Sequence, residues 1–241
     1  MTVQTSLLLF IFSLLPLPFL PFPAVASQVA LHEDFATLDN WETVTFPKIA
    51  RHSSYEVRQT ETENYLVAQS SDSASAIRYI HEFDVVRYPV VKWRWKVDNV
   101  YSKGNLLEKA GDDYPLRVYI MFKYEPGQAS LGEQMKYGLA KIVYGAYPPH
   151  SSLNYIWANQ EEEQGIHPSP YTDKARLLVL RAGSKDTGLW VEEKINILDD
   201  YRKSFGTEPP ATASIAIMND SDNTGEAATS YVDYIMVQED K

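Results

Sequence analysis

The segment Asn219-Asp220-Ser221-Asp222-Asn223-Thr224-Gly225 places the side-chain oxygens of Asp220, Asp222 and Asn223 within a few residues of one another. Hard oxygen donors at such spacing suit Ca2+. The twelve-residue EF-hand loop does not follow, because no glutamate stands where its bidentate ligand belongs. The alternative is a turn in which these side chains bond their own backbone amides. A second group is Gly111-Asp112-Asp113-Tyr114-Pro115, which leads to Arg117 and Tyr119. Two carboxylates can act as acid and base when their surroundings drive their pKa values apart. They can equally form an ion pair with Arg117 and fix a loop. The third is Asn154-Tyr155-Ile156-Trp157-Ala158-Asn159. Asn154, Ile156 and Ala158 fall on one strand face and Tyr155, Trp157 and Asn159 on the other, and an aromatic with amide neighbours matches the apolar face and hydroxyl rim of a sugar. A buried core aromatic is the competing reading of Trp157.

Other chemistries lack their residues. With 0 Cys, the chain has no disulfide, thiolate metal site or cysteine nucleophile. His32, His52, His81, His150 and His167 are scattered without the paired spacing of a zinc site. Neither a G-x-S-x-G elbow nor a P-loop nor a dinucleotide fingerprint is present. The net charge of -10 argues against general nucleic-acid binding.

The elements that must hold these residues read as strands. In Val91-Lys92-Trp93-Arg94-Trp95-Lys96-Val97 the apolar side chains share one face and the three cations the other. Arg117 to Phe122 alternates likewise, with Val118, Ile120 and Phe122 inward and Arg117 and Tyr119 outward. Leu177 to Leu180 and Ile215 to Met218 are continuously apolar, as in central strands covered on both faces. Trp190 to Ile195, Tyr231 to Val237 and the stretches around Tyr55, Leu66 and Ile77 add further strands. Leu131 to Val143 and Leu198 to Phe205 instead carry helical spacing, the second capped by Asp199 or Asp200 and ended by Gly206. Short strands separated by Gly, Pro, Asn, Asp and Ser clusters predict an all-β antiparallel sandwich with one or two short helices in its loops.

The beginning of the chain reads differently. Met1 to Ala26 has no charged side chain, and Leu7 to Phe22 is an apolar run ending in Ala24-Val25-Ala26, the pattern of a secretory signal with an A-x-A cleavage site. Pro16, Pro18, Pro21 and Pro23 break that run too often for a spanning helix. Residues 1–26 are therefore expected to be a signal peptide, and residues 27–241 one β-sandwich domain, periplasmic or extracellular, with no membrane span after cleavage.

Taken in order, Trp93-Arg94-Trp95, Gly111-Asp112-Asp113, Arg117, Leu153 to Trp157, Asp200-Tyr201, Phe205-Gly206 and Asp220 to Gly225 resemble the bacterial domain-of-unknown-function 3047 family. The likeness runs from about Phe35 to Val237 and implies an exported bacterial protein without assigning an activity. More broadly, Phe35-x5-Trp41, the Trp93 strand and Tyr231 to Ile235 are similar to strands of lectin-like jelly rolls, which include laminarinase-type glycosidases and carbohydrate-binding modules. The E-x-D-x-x-E strand of those glycosidases is missing. So are the Gln-Ile-His and Tyr-Phe-Lys motifs of jelly-roll alginate lyases.

These readings lead to a carbohydrate-binding sandwich whose partner is a glycan or another envelope component, contacted by Arg94, Arg117, Tyr119, Asn154 and Trp157. If the strands of Lys92, Arg94 and Lys96 and of Arg117 and Tyr119 lie in one sheet, their shared basic face favours acidic sugars. A polysaccharide hydrolase or lyase using Asp112, Asp113, Arg117 and Tyr119 is one alternative, and a structural module of the envelope another. Asp220, Asp222 and Asn223 are the candidate ligands of a structural Ca2+.

Overall fold

The computed structural model describes residues 28–129, 132, 134–135, 137–138 and 147–240. The signal-like segment Met1 to Ala26 lies outside the described residues, and the helix expected from Leu131 to Val143 lies largely outside them. In chain order the strands are β1 (Val29–Glu33), β2 (Trp41–Val44), β3 (Ser54–Gln59), β4 (Asn64–Ser71), β5 (Ala74–Tyr79), β6 (Phe83–Asp84) and β7 (Val90–Val97). They continue as β8 (Arg117–Phe122), β9 (Ser151–Ala158), β10 (Gly165–Pro168), β11 (Ala175–Ala182), β12 (Val191–Asn196), β13 (Thr212–Asp220) and β14 (Ala227–Gln238), with helix α1 (Ile197–Phe205) between β12 and β13.

Two sheets form. The first is six-stranded, in the order β12-β7-β14-β4-β3, with β1 on the far half of β14. The second is eight-stranded, in the order β10-β11-β9-β8-β13-β5-β2, with β6 on β13. The result is a jelly-roll-like β-sandwich. One pairing departs from the antiparallel expectation: β9 and β11 run parallel. The short β10 makes the return run outside β11, so β11 travels in the direction of β9 when the two pair.

The core follows from the alternation. Trp93 and Trp95 of β7 point inward and meet Tyr155 and Trp157 of β9, with ring centroids 5.6 and 5.7 Å apart. Each such pair adds roughly 0.5–1.5 kcal/mol beyond the burial of its area. Trp157 is fully buried and its indole N–H donates to the Gly183 carbonyl at 3.1 Å, so it is core and not a surface platform. Helix α1 closes one end, with Tyr201 packed on Phe122 at 4.6 Å. Its cap is Asn196, whose side chain accepts from the Leu198 and Asp199 amides, so the helix begins a residue earlier than expected. Gly206 ends it in the left-handed conformation at φ 71°, where a Cβ is unfavourable.

At the end where β13 leaves the sandwich, the apolar core gives way to a buried polar seam. The Asn219 side chain donates to the Ala68 and Ala228 carbonyls at 3.0 and 3.4 Å, and the Asn219 amide donates to the Tyr55 hydroxyl at 3.1 Å. Burial of these groups without partners would cost several kcal/mol, so their bonds fix the end of β13 against the first sheet. With Asn219 held inward, Asp220 must point outward.

The expected shared basic face does not form. Lys92, Arg94 and Lys96 lie on β7 in the first sheet, whereas Arg117 and Tyr119 lie on β8 in the second. Both sets point away from the core, and therefore to opposite sides of the sandwich.

Candidate functional site: a cleft on the outer face of the second sheet

Cross-strand register assembles the site. On the outer face Tyr119 stands between Asn154 of β9 and Ala216 of β13. One pair along, Arg117 stands between Ile156 and Met218, and Asp220 opposes Ala74 of β5. The loop before β8 brings in Asp112. Its 3-10 turn, Lys109–Gly111, packs so closely on Asn105 that a Cβ at Gly111 would lie 2.6 Å from the Asn105 nitrogen, so glycine is required there.

Arg117 is the centre, only 5% exposed. Its Nε donates to Asp220 Oδ1 at 3.0 Å, Nη1 to Asp112 Oδ2 at 3.3 Å and Nη2 to the Asp112 carbonyl at 2.8 Å, while a further bond joins Nη2 to Asp220 Oδ2. The guanidinium also lies over the Tyr114 ring, 4.5 Å from its centroid. Asp113 is turned the other way and is fully buried. It accepts from the amides of Asn223 and Thr224 at 3.0 and 2.6 Å and from Asn223 Nδ2 at 3.0 Å, clamping the loop after β13.

Around these groups lies a cleft of about 570 Å³ lined by two walls. Phe46, Ile49, Ala74 and Met218 give an apolar wall, with Tyr119 beside it. Asp112, Asn154, Asp220, Asp222, Asn223 and Tyr171 give a polar one. Asn154 is only 5% exposed, yet its Oδ1 has no hydrogen-bond partner. Tyr171 is 55% exposed on the rim, its hydroxyl 3.1 Å from Asn223 Oδ1 and 3.2 Å from the Lys109 carbonyl. Burial, and then the Asp112 and Asp222 carboxylates, push that phenol above its ordinary pKa. Burial likewise raises Tyr119, which Arg117 partly offsets. A hollow of about 530 Å³ between Arg51 and Thr229 has no carboxylate in its lining, and one of about 510 Å³ is built from the 102–107 and 160–167 loops. The first presents outward side chains of β3, β4 and β14, such as Ser54, Gln69 and Thr229, but no carboxylate or apolar wall, and the second is built from loops.

Of the candidates read from the sequence, Asp112, Arg117, Tyr119, Asn154, Asp220, Asp222 and Asn223 come together here, with Asp113 directly behind. Arg94 lies on the opposite outer face, paired with Asp233 at 2.9 Å and Glu63 at 3.3 Å and stacked over Trp190 at 4.9 Å. Trp157 is in the core. Phe46, Ile49 and Tyr171 were not foreseen, since the first two come from the β2–β3 loop and the third from the loop before β11, with no motif around either.

Carboxylate oxygens of Asp113, Asp220 and Asp222 lie within 4.8 Å of one another, near enough to hold a metal ion. Asn223, the other candidate ligand, donates its Nδ2 to Asp113 and accepts from the Tyr171 hydroxyl at Oδ1. Asp113 and Asp220 already accept from loop amides and from Arg117, leaving few of the six to eight oxygens Ca2+ takes. Burial, and then the neighbouring Asp113, hold Asp222 above the ordinary aspartate pKa. A raised pKa means that ionised Asp222 costs stability. The cost is full above its folded-state pKa, shrinks as pH falls through that value and vanishes below the unfolded value of about 3.9. Asp222→Asn is therefore expected to raise the melting temperature at neutral pH by roughly 1–2 °C, solvent screening keeping the gain small. If a cation is bound there, the same substitution in millimolar calcium lowers the melting temperature instead.

The fold and cleft define a jelly-roll β-sandwich with a ligand-sized groove on one outer face. The chain belongs to the family described as "Protein of unknown function (DUF3047)", which matches residues 39–236. No curated protein matches it in sequence. Among solved structures it is similar to the family 11 carbohydrate-binding module of a cellulosomal cellulase of Clostridium thermocellum, at 12% identity and TM-score 0.44, over 90% of this chain and 96% of that one. It is also similar to the CBM22-1 xylan-binding domain from Paenibacillus barcinonensis, at 9% identity and TM-score 0.36, over 90% and 99%. A third is the family GH12 endoglucanase 3 of Trichoderma harzianum, at 8% identity and TM-score 0.39, over 84% and 99%. No helix among the described residues is long and apolar enough to cross a membrane.

Proposed function

We propose that the protein is an exported glycan-binding β-sandwich and that the cleft on its second sheet holds a short oligosaccharide. The observation that carries this reading is the buried Asn154 amide, unpartnered, opposite an apolar wall of Phe46, Ile49 and Met218. A pyranose ring offers an apolar face to such a wall and hydroxyls to such an amide. The volume falls within the roughly 300–1,000 Å³ of small-molecule sites. Export rests on the uncharged apolar run of Leu7 to Phe22 and the Ala24-Val25-Ala26 that follows it. Binding is favoured over bond cleavage because the carboxylates of Asp112, Asp113 and Asp220 are spent on Arg117 and on loop amides. A hydrolase needs two carboxylates free to flank the scissile bond.

The test is a glycan array followed by calorimetry on any oligosaccharide it identifies. Asn154→Ala and Tyr171→Ala should each weaken binding roughly tenfold, the value of one or two lost hydrogen bonds. Because the Asn154 amide has no protein partner, its loss should leave the melting temperature near the parent value. Unchanged affinity in both variants, with loss on Arg94→Ala instead, moves the site to the other sheet. New reducing ends in the bound glycan replace binding by hydrolysis.

A further inference from the structure

We infer that the cleft selects a glycan bearing protonated amino groups over neutral or acidic ones, an inference that rests on the cleft being the glycan site. Arg117 looks at first like an anchor for a uronic acid, but four of its five N–H donors are taken. Nε, Nη1 and both hydrogens of Nη2 bond to Asp112 and Asp220, which leaves one Nη1 N–H, so a ligand carboxylate could be held in bidentate fashion only by displacing one of these buried partners. The other cation in the lining is Lys48, an exposed loop residue at the rim.

Among the anions Asp222 is the less satisfied: it makes no ion pair among the described residues, whereas Asp112 Oδ1 is buried against the Tyr114 hydroxyl. Three carboxylates, from Asp112, Asp220 and Asp222, line the cleft, with Asp113 behind Asn223 as a fourth. An acidic sugar meets a like charge here. A hydroxyl gives these oxygens a neutral donor, whereas an ammonium gives a charged one, and bonds between ionised partners are about twice as strong as neutral ones. The unpartnered Asn154 amide stands on the same floor and can accept from the adjacent hydroxyl or ammonium. The apolar wall continues to take the ring face.

The probes are the tetramer of glucosamine, its fully N-acetylated counterpart and a tetramer of galacturonate, titrated into the full mature chain at low and high salt. The amine tetramer should bind about tenfold or more tightly than the acetylated one at low salt, what one charge-assisted bond supplies. That ratio should collapse in high salt, since exposed charges are screened beyond a few ångströms there. Asp222→Asn should cut the ratio severalfold. Equal binding of the amine and acetylated tetramers, both weakened by Tyr171→Ala, overturns the charge selection and leaves the glycan site standing. Galacturonate binding as tightly as the amine also overturns it. Failure of any array glycan to bind, the three tetramers included, overturns both readings together.

Discussion

Arg117→Leu is expected to lower the melting temperature by roughly 6–20 °C, the span that about 3–5 kcal/mol gives in a domain of this size. The cost comes less from losing a favourable pair than from what stays behind. Asp112 and Asp220 are both nearly inaccessible to solvent and both hold the guanidinium, so its removal leaves two buried carboxylates without a counter-charge. A like-charge pair in a poorly solvated place either ionises at great cost or takes up a proton. The prediction has an internal control. Arg117→Leu combined with Asp112→Asn and Asp220→Asn removes all three charges and should recover much of the loss, because replacing a whole buried ionic group is often near neutral. Thermal unfolding followed by circular dichroism measures both. A single variant melting within a degree or two of the parent shows that the triad is solvated and that the cleft is not built on it.

The same triad shows where sequence reasoning reaches and where it stops. Alternation in Val91 to Val97 and in Arg117 to Phe122 correctly separates inward from outward side chains, because a two-residue period is a local property of the strand. It does not say which sheet a strand joins. Both Arg94 and Arg117 read as outward cations, and only the long-range pairing of β7 with β14 and β12, and of β8 with β9 and β13, sends them to opposite sides. The partner of Arg117 is likewise non-local: Asp112 is five residues away, but Asp220 is 103. The Asp220 to Gly225 cluster was legible as a concentration of oxygens. Its organising group, Asp113, comes from a loop 110 residues earlier, so the division of labour among those oxygens was not. Parity also placed Trp157 opposite Asn154 on β9, and it took the facing Trp95 to decide that the tryptophan side is the core. The parallel β9–β11 pair escapes local reading for a related reason, since it depends on a four-residue strand, β10, taking the edge.

Asp113→Asn should lower the melting temperature by roughly 5–10 °C and abolish ligand binding in the cleft, although Asp113 itself does not line it. The carboxylate receives three N–H donors from Asn223 and Thr224 and is fully buried. An isosteric amide keeps one acceptor oxygen but turns an NH2 toward donors that have nothing else to bond. Hydrogen bonds to a charged acceptor are worth about 1.5–3 kcal/mol, and leaving a buried donor unmet adds its desolvation penalty. The loop they hold carries Asp222 and Asn223, and Asn223 Oδ1 lies 3.1 Å from the Tyr171 hydroxyl. Releasing the loop therefore unseats the polar wall and the rim together. The informative comparison is with Asp222→Asn, which makes the same chemical change in a carboxylate of the same cluster and is expected to stabilise slightly. Opposite signs follow from the donors each carboxylate has: Asp113 is surrounded by them, while Asp222 has its own amide and the charge of Asp113 nearby. If both variants shift the melting temperature in the same direction and by the same amount, the cluster behaves as an undifferentiated patch of negative charge, and Asp113 is not the clamp that shapes the cleft.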